Sequence, residues 1–347
     1  MIGRCLVRNL MAALMLAYSS PPLLADPPRP QTGACFAKVD PVTALGFPSR
    51  YLKDSKSRSE FDEKANAAVE AALKPVDDFI KELSIAANDA LALPEAKAVH
   101  AANCVVTRIH DWASADALSQ LQSDGAQLSI PSRIAAIAIA YAQAQPRAAK
   151  SGHQAVIEDW LRIRVVASMD YFDLKAPTRA SSNNLRAWAG LGAAQVGLIL
   201  NDQAMITWAA ASVRRVACAA NADGSLPNEM WRGKLALHYQ IHAVGPLVFT
   251  AALLADKAPG LLDACDGAVI RAARFAVAGA KDPRIVEPLA GEKQKFDADP
   301  AKLKAYQFAW IAAFLSQVDD PEIKAFARNF PVLVNSKLGG KQSLLWN

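Results

Sequence analysis

The sequence predicts an all-α protein built from helical hairpins, and three observations carry that prediction. Ala and Leu recur at helical spacing over most of the chain, Pro and Gly fall between those stretches, and strand-like runs are as short as Val165-Val166. A composition of 52% hydrophobic, 20% charged and 7% aromatic residues over 347 positions excludes a disordered or coiled-coil chain. Length alone leaves one large domain or two ordinary ones.

Residues 1–25 read as a secretory signal peptide. Arg4 and Arg8 supply a positive start, Leu10 to Ala17 an apolar stretch, and Leu23-Leu24-Ala25 a cleavage site before Asp26. The apolar run falls well short of the roughly 20 residues of a membrane span, and no other segment reaches that length, so no stable membrane insertion is expected. A periplasmic or secreted location follows. Losing Arg4 and Arg8 lowers the formal charge from +5 to +3, too little for a dedicated nucleic-acid binder.

Four cysteines remain beyond the signal peptide: Cys35, Cys104, Cys218 and Cys265. Their wide spacing excludes the close pairs of zinc and redox motifs, and an even number in an exported chain predicts disulfides. Three pairings are possible. The favoured one joins Cys35 to Cys104, tying an extended segment to a helix, and Cys218 to Cys265.

Residues 26–58, rich in Pro and Gly, predict an extended leader lying on a single domain of residues 59–347. Ser59 with Asp62 three residues on is an approximate capping box opening the first helix. Helical stretches then cover about 59–73, 75–91, 94–113, 131–145, 151–170, 183–200, 202–220, 229–256, 259–280, 301–317 and 320–329. Pro75, Pro94, Pro131, Pro177, Asp223-Gly224, Pro227, Pro259 and Pro321 fall between them. Segment 281–300, charged and without helical period, is either a mobile lid or a solvated connector. Two architectures fit, a right-handed solenoid or an incomplete α/α toroid; the lack of a repeat of about 34 residues disfavours the solenoid.

Polar residues concentrate at four places: Ser49-Arg50-Tyr51, Asn183 to Trp188, Leu226-Pro227-Asn228-Glu229, and Arg232 to His242. Asn184 and Trp188, four apart, share a helix face. Arg232 and Tyr239 are seven apart, about two turns of one helix, and His242 lies three further on. A guanidinium near a phenol favours phenolate, which a tyrosine base requires. His238 points about 100° away from Tyr239 around the helix. His100, His110 and His153 have no motif around them and read as structural or surface residues.

Together these patterns resemble the alginate lyases of polysaccharide lyase family 5. That family has an Asn-Asn-His-x-x-Trp motif, where this chain has Asn183-Asn184-Leu185-Arg186-Ala187-Trp188, and a Gly-x-Leu-Pro-Asn-Glu turn, matched by Gly224-Ser225-Leu226-Pro227-Asn228-Glu229. An Arg seven residues before a Tyr and a Pro-Leu pair follow, matched by Arg232, Tyr239 and Pro246-Leu247. Ser49-Arg50-Tyr51 stands where the family has Ser-Lys-Tyr, and the likeness extends to Cys104, Asp111-Trp112, Asn329-Phe330 and Leu338-Gly339-Gly340.

The resemblance implies an incomplete α/α toroid of antiparallel helical hairpins and β-elimination on a uronate polymer. Asn184 would hydrogen-bond the sugar carboxylate, Arg232 would neutralise it, and Tyr239 would take the C5 proton and return one to the departing oxygen. Arg50 would bind a neighbouring carboxylate, Trp188 would offer a stacking face, and Asn183 and Tyr51 would join substrate binding. No cofactor or metal is expected, and the partner is an anionic polysaccharide bound by a monomer. The motif His is Leu185 here, and His242 is expected to replace it in part from the other wall of the cleft. Mannuronan is the default substrate and glucuronan a second candidate. The alternatives are a weak or inactive relative that binds an anionic exopolysaccharide and, further off, a helical scaffold for protein partners.

Overall fold

The computed structural model describes residues 35–346. The expected signal peptide and the first part of the leader lie outside the described residues. From Cys35 onward the chain forms one unit.

Thirteen α-helices occur among the described residues: α1 (Glu63–Ala92), α2 (Glu95–Ser114), α3 (Asp124–Ser129), α4 (Pro131–Ala144), α5 (His153–Leu174), α6 (Asn184–Leu200), α7 (Gln203–Ala217), α8 (Pro227–Met230), α9 (Ala236–Leu253), α10 (Ala264–Lys281), α11 (Glu287–Ala290), α12 (Trp310–Leu315) and α13 (Pro321–Ala327). The neighbours define two layers. Helices α1, α4, α6, α9 and α12 pack in that order side by side, while α2, α5, α7, α10 and α13 back them from outside. The C-terminal turns Ser336–Leu338 and Gln342–Leu344 touch α1, α4 and α12. This is the α/α toroid.

The inner position explains the composition. Helices α4, α6 and α9 are buried on nearly all sides, so they read as apolar all round rather than amphipathic. Small residues let them approach closely: a Cβ on Gly197 would meet Ile206 and Met205 of α7 at 3.0 Å.

Four expectations are corrected. Pro75 lies inside α1 and does not end it. Val69 and Leu73 before it and Val76, Phe79 and Leu83 after it are buried in one cluster, and at about 1.5–3 kcal/mol each their burial outweighs the roughly 3 kcal/mol cost of an internal proline. The cap of α1 is Asp62, which accepts from Ala65 N, so no capping box opens at Ser59. The stretch 229–256 is not one helix: Gly233 has φ +53°, in the left-handed region, and with the 3-10 turn Gly233–Leu235 it separates α8 from α9. Segment 301–317 likewise shrinks to α12 after the 3-10 turns Pro300–Lys302 and Ala305–Gln307.

The strands are two-residue pairs. β1 (Ala44–Leu45) runs parallel to β2 (Gln120–Leu121), and β3 (Val334–Asn335) antiparallel to β4 (Gly340–Lys341). The leader's described part lies against α2: Arg108 donates to Phe36 O, Trp112 Nε1 donates to Val39 O at 3.0 Å, and a disulfide joins Cys35 to Cys104. The second disulfide joins Cys218, after α7, to Cys265 at the start of α10. Both pairings are the favoured ones, and they mark a chain that matures in an oxidising compartment, extracellular or periplasmic. No described helix is long and apolar enough to cross a membrane.

The bridge Cys218–Cys265 closes 47 residues. Replacing both cysteines by serine is expected to lower unfolding free energy by about 4 kcal/mol on the chain-entropy estimate; a denaturant midpoint equal to wild type would refute that.

Candidate active site

Tyr239 lies in the first turn of α9, and Arg232 precedes that helix in the turn after α8. The break at Gly233 does not separate them. The Arg232 guanidinium carbon stands 3.5 Å from the centre of the Tyr239 ring. Tyr51 arrives from the segment before α1, which an isolated bridge between Tyr51 and Phe61 folds back on itself. The Tyr51 and Tyr239 hydroxyls are 2.5 Å apart, and Arg232 Nη2 donates to the Tyr51 hydroxyl at 2.9 Å. Arg232 also donates from Nε to Ser57 O and from Nη2 to Arg58 O. Its Nη1 has no partner among the described residues.

These contacts set the protonation of Tyr239. Burial pushes its pKa up, the neighbouring Tyr51 adds to this, and Arg232 pulls the other way. The net shift is upward, so the resting site holds a phenol rather than the phenolate that spacing alone suggested.

Asn184 opens α6, with Asn183 as its cap; Asn183 Oδ1 accepts from Leu185 N at 2.9 Å. Asn183 thus terminates a helix. Asn184 meets Glu229 of α8: its backbone N donates to Oε1 at 2.7 Å, and its Nδ2 reaches Oε1 at 3.1 Å and Oε2 at 3.0 Å. Glu229 is 0% exposed, and burial raises its pKa to about 7, against the opposing pull of the Asn184 hydrogen bonds and Arg232.

Trp188 is only 4% exposed, and its Nε1 donates to His242 Nε2 at 3.0 Å. The expected stacking face is therefore largely covered, and the indole orients an imidazole instead. Accepting at Nε2 places the His242 proton on Nδ1. Burial, helped by the positive fields of His238, Lys337, Arg232 and Arg133, pushes its pKa down to about 3. His242 is thus neutral and cannot cancel a carboxylate's charge as a cation. Leu185 packs against the cluster of Tyr171, Phe172 and Ala189. His238 does not stand apart: its ring meets Tyr239 edge-on at 5.1 Å and lies parallel to His242 at 6.3 Å.

Arg50 lines a cavity of about 540 Å³ with Lys74, Asp77, Glu70 and Arg133. Arg133, a lone charge in the apolar run of α4, donates to Asp77 Oδ2 at 2.6 Å. Lys337 joins this group. Burial, then Arg133, lowers its pKa to about 8, with Arg50 adding to the shift and Asp77 opposing it. The structure thus brings Tyr51, Arg232 and Tyr239 into contact, links Asn184 to them through Glu229, and sets Arg50 in a separate cationic group. Arg133 and Lys337 were missed; an isolated charge inside an apolar helix was the available signal for the first.

Segment 281–300 is anchored at the base of this site. Gln294 Oε1 accepts from Leu237 N, Gln294 Nε2 donates to Gly233 O, and Lys295 N donates to Lys234 O. Gln294 and Lys295 thus clamp this part of the segment to the start of α9, while most of its other residues are exposed or half-buried.

The sequence model of the alginate lyase family matches residues 124–286. That range holds Asn183, Asn184, Trp188, Arg232, Tyr239 and His242, and leaves out Arg50 and Tyr51. A polysaccharide lyase of Stenotrophomonas maltophilia strain K279a is 27% identical over 259 residues, covering 71% of this chain and 76% of that protein. An alginate lyase of Azotobacter chroococcum is 27% identical over 316 residues, 88% of this chain and 82% of its own length. The crystal structure of alginate lyase A1-III from Sphingomonas species A1 superposes with a TM-score of 0.73 at 21% identity, over 92% of this chain and 88% of that one. A Tyr-to-Phe variant of that enzyme, complexed with tetrasaccharide, gives a TM-score of 0.74 at 22% identity, over 90% of this chain and 85% of the variant's.

The sequence likeness to these proteins indicates a polysaccharide lyase, and the solved structure shares its helical toroid. Within that class it is a relative of the alginate lyases.

Proposed function

We propose that the protein cleaves a uronate polymer of the alginate type by β-elimination in the periplasm or outside the cell, with Tyr239 as both base and acid. The observation that carries this reading is the contact of buried Arg232 with two partly exposed tyrosines, Tyr239 and Tyr51. Elimination needs the sugar carboxylate neutralised so that the C5 proton becomes acidic, a base to remove that proton, and an acid for the departing O4. Arg232 keeps Nη1 for the carboxylate while its other donors hold Tyr51 and the backbone of residues 57–58. Asn184 supplies a second donor to the same carboxylate. Tyr239 takes the C5 proton; because C5–H and O4 lie on one face in mannuronate and glucuronate, the same hydroxyl then protonates O4. Tyr51 holds the Tyr239 hydroxyl in line. Arg50, Arg133 and Lys337 bind carboxylates of neighbouring sugars.

The direct test is the rise in ultraviolet absorbance from the unsaturated product, measured on polymannuronate, polyguluronate and polyglucuronate. Absence of any rise, with binding retained, would favour a second reading, an inactive relative that binds the polymer; Leu185 in the place of the motif His is the observation behind it.

Two further outcomes are expected. Lys337 carries its charge below about pH 8 and loses it above, so its discharge should add to KM for the polymer above that pH, and Lys337→Met should raise KM at pH 7 and make the rise above pH 8 shallower. An unchanged KM would remove Lys337 from binding. His242 offers a neutral hydrogen bond, worth about 1 kcal/mol. His242→Ala should slow turnover several-fold without moving the pH profile between 5 and 9; a displaced profile would contradict the neutral assignment.

A further inference from the structure

We propose that Glu229 positions Asn184 for the uronate carboxylate and takes up a proton from water when that carboxylate binds. The inference rests on the elimination reading above and adds to it a residue that touches no substrate.

Asn184 is 1% exposed, and its two contacts to Glu229 leave its side chain half used. The two oxygens of a carboxylate lie close together, so one N–H of the amide serves both and the other diverges from them. Asn184 Oδ1 is buried without a hydrogen-bond partner. An orphaned buried acceptor is costly, and such groups in native proteins call for an explanation. Glu229 can supply the missing hydrogen only as a carboxylic acid. Protonated, with the Asn184 amide turned over, it donates O–H to Oδ1, still accepts from the Asn184 backbone N–H, and leaves both side-chain N–H groups where Oδ1 now stands. The amide then presents a two-hydrogen fork to the incoming carboxylate.

The charge balance favours this exchange. A sugar carboxylate arriving beside an ionised buried carboxylate places two like charges in one dry site, and one of them is driven to its neutral form. Few groups oppose that step. Helix α6 meets Glu229 with the Asn184 amide and backbone N–H. The charged group whose field reaches Glu229 is Arg232, already committed to Ser57, Arg58 and Tyr51. The proton comes from water onto the Glu229 carboxylate, and no other bond is made or broken. Burial has already brought Glu229 to about 7, so the transfer is accessible near neutral pH.

Binding of a mannuronate oligomer to the Tyr239→Phe protein, measured by calorimetry in buffers of different ionisation enthalpy, tests the proposal without turnover. Near pH 7.5 proton uptake is expected, with affinity falling by up to about tenfold per pH unit above pH 7. Adding Glu229→Gln should flatten affinity between pH 7 and about 8, leaving only the later fall due to Lys337. Proton uptake unchanged by Glu229→Gln would overturn the proposal while leaving the lyase reading intact. Failure of every polyuronate to bind would overturn both. Should Glu229→Gln not fold, the infrared carbonyl band of a protonated carboxyl, sought in the Tyr239→Phe protein at pH 8 with and without oligomer, decides: its appearance on binding supports the proposal and its absence refutes it.

Discussion

Tyr239→Phe is expected to lower turnover by about a thousandfold or more while changing binding of the polymer by less than a few-fold. A positioned general acid–base contributes on the order of 10²–10⁴, and Tyr239 is assigned two proton transfers, so the effect should fall in the upper part of that range. Binding should survive because the substitution removes one hydroxyl and keeps the ring under Arg232. The pH profile carries a second signature. The Tyr239 pKa is raised, so the phenolate is scarce at neutral pH and increases as pH rises. Wild-type kcat at saturating polymer should therefore climb from neutral toward alkaline pH, because the losses of affinity expected from Glu229 and Lys337 enter KM and not kcat. A Phe variant with near-normal turnover would remove Tyr239 from the reaction.

Arg232→Ala is expected to lower kcat by on the order of 10²–10³, the usual consequence of removing a group that stabilises developing charge. It should also loosen the segment carrying Tyr51, because Ser57 O, Arg58 O and the Tyr51 hydroxyl all lose their donor. Arg232→Lys separates the two effects. It restores the charge without the planar fork that reaches three acceptors and leaves Nη1 over. The lysine variant should therefore recover part of kcat and little of the ordering of residues 51–61, which hydrogen exchange would report. Full recovery by lysine would show that only the charge matters.

Much of this architecture was legible because buried α4, α6 and α9 are written in Ala, Leu and Ile. The failures have local causes. Pro75 looked like a helix boundary, but the residues on both sides of it share one core cluster, and tertiary packing overrode a local rule. Gly233 looked like an ordinary helix position, and its positive φ depends on neighbours that a periodic pattern does not record. At the site, Arg232 and Tyr239 were found for the wrong geometric reason: they meet across a turn rather than along a helix. Spacing gave no hint that Trp188 faces His242, or that Glu229 sits under Asn184, because both contacts join distant segments. Arg133 and Lys337 converge from positions 133 and 337 through toroid closure, which is invisible one helix at a time.

The disulfides join neighbours in order along the chain, Cys35 with Cys104 and Cys218 with Cys265. For a polypeptide delivered N-terminus first across a membrane, each thiol that opens a bridge finds its correct mate in the next cysteine to emerge. The first bridge can close before Cys218 has crossed, so oxidation can keep pace with translocation, and no bond need be broken and remade to reach the native pairing.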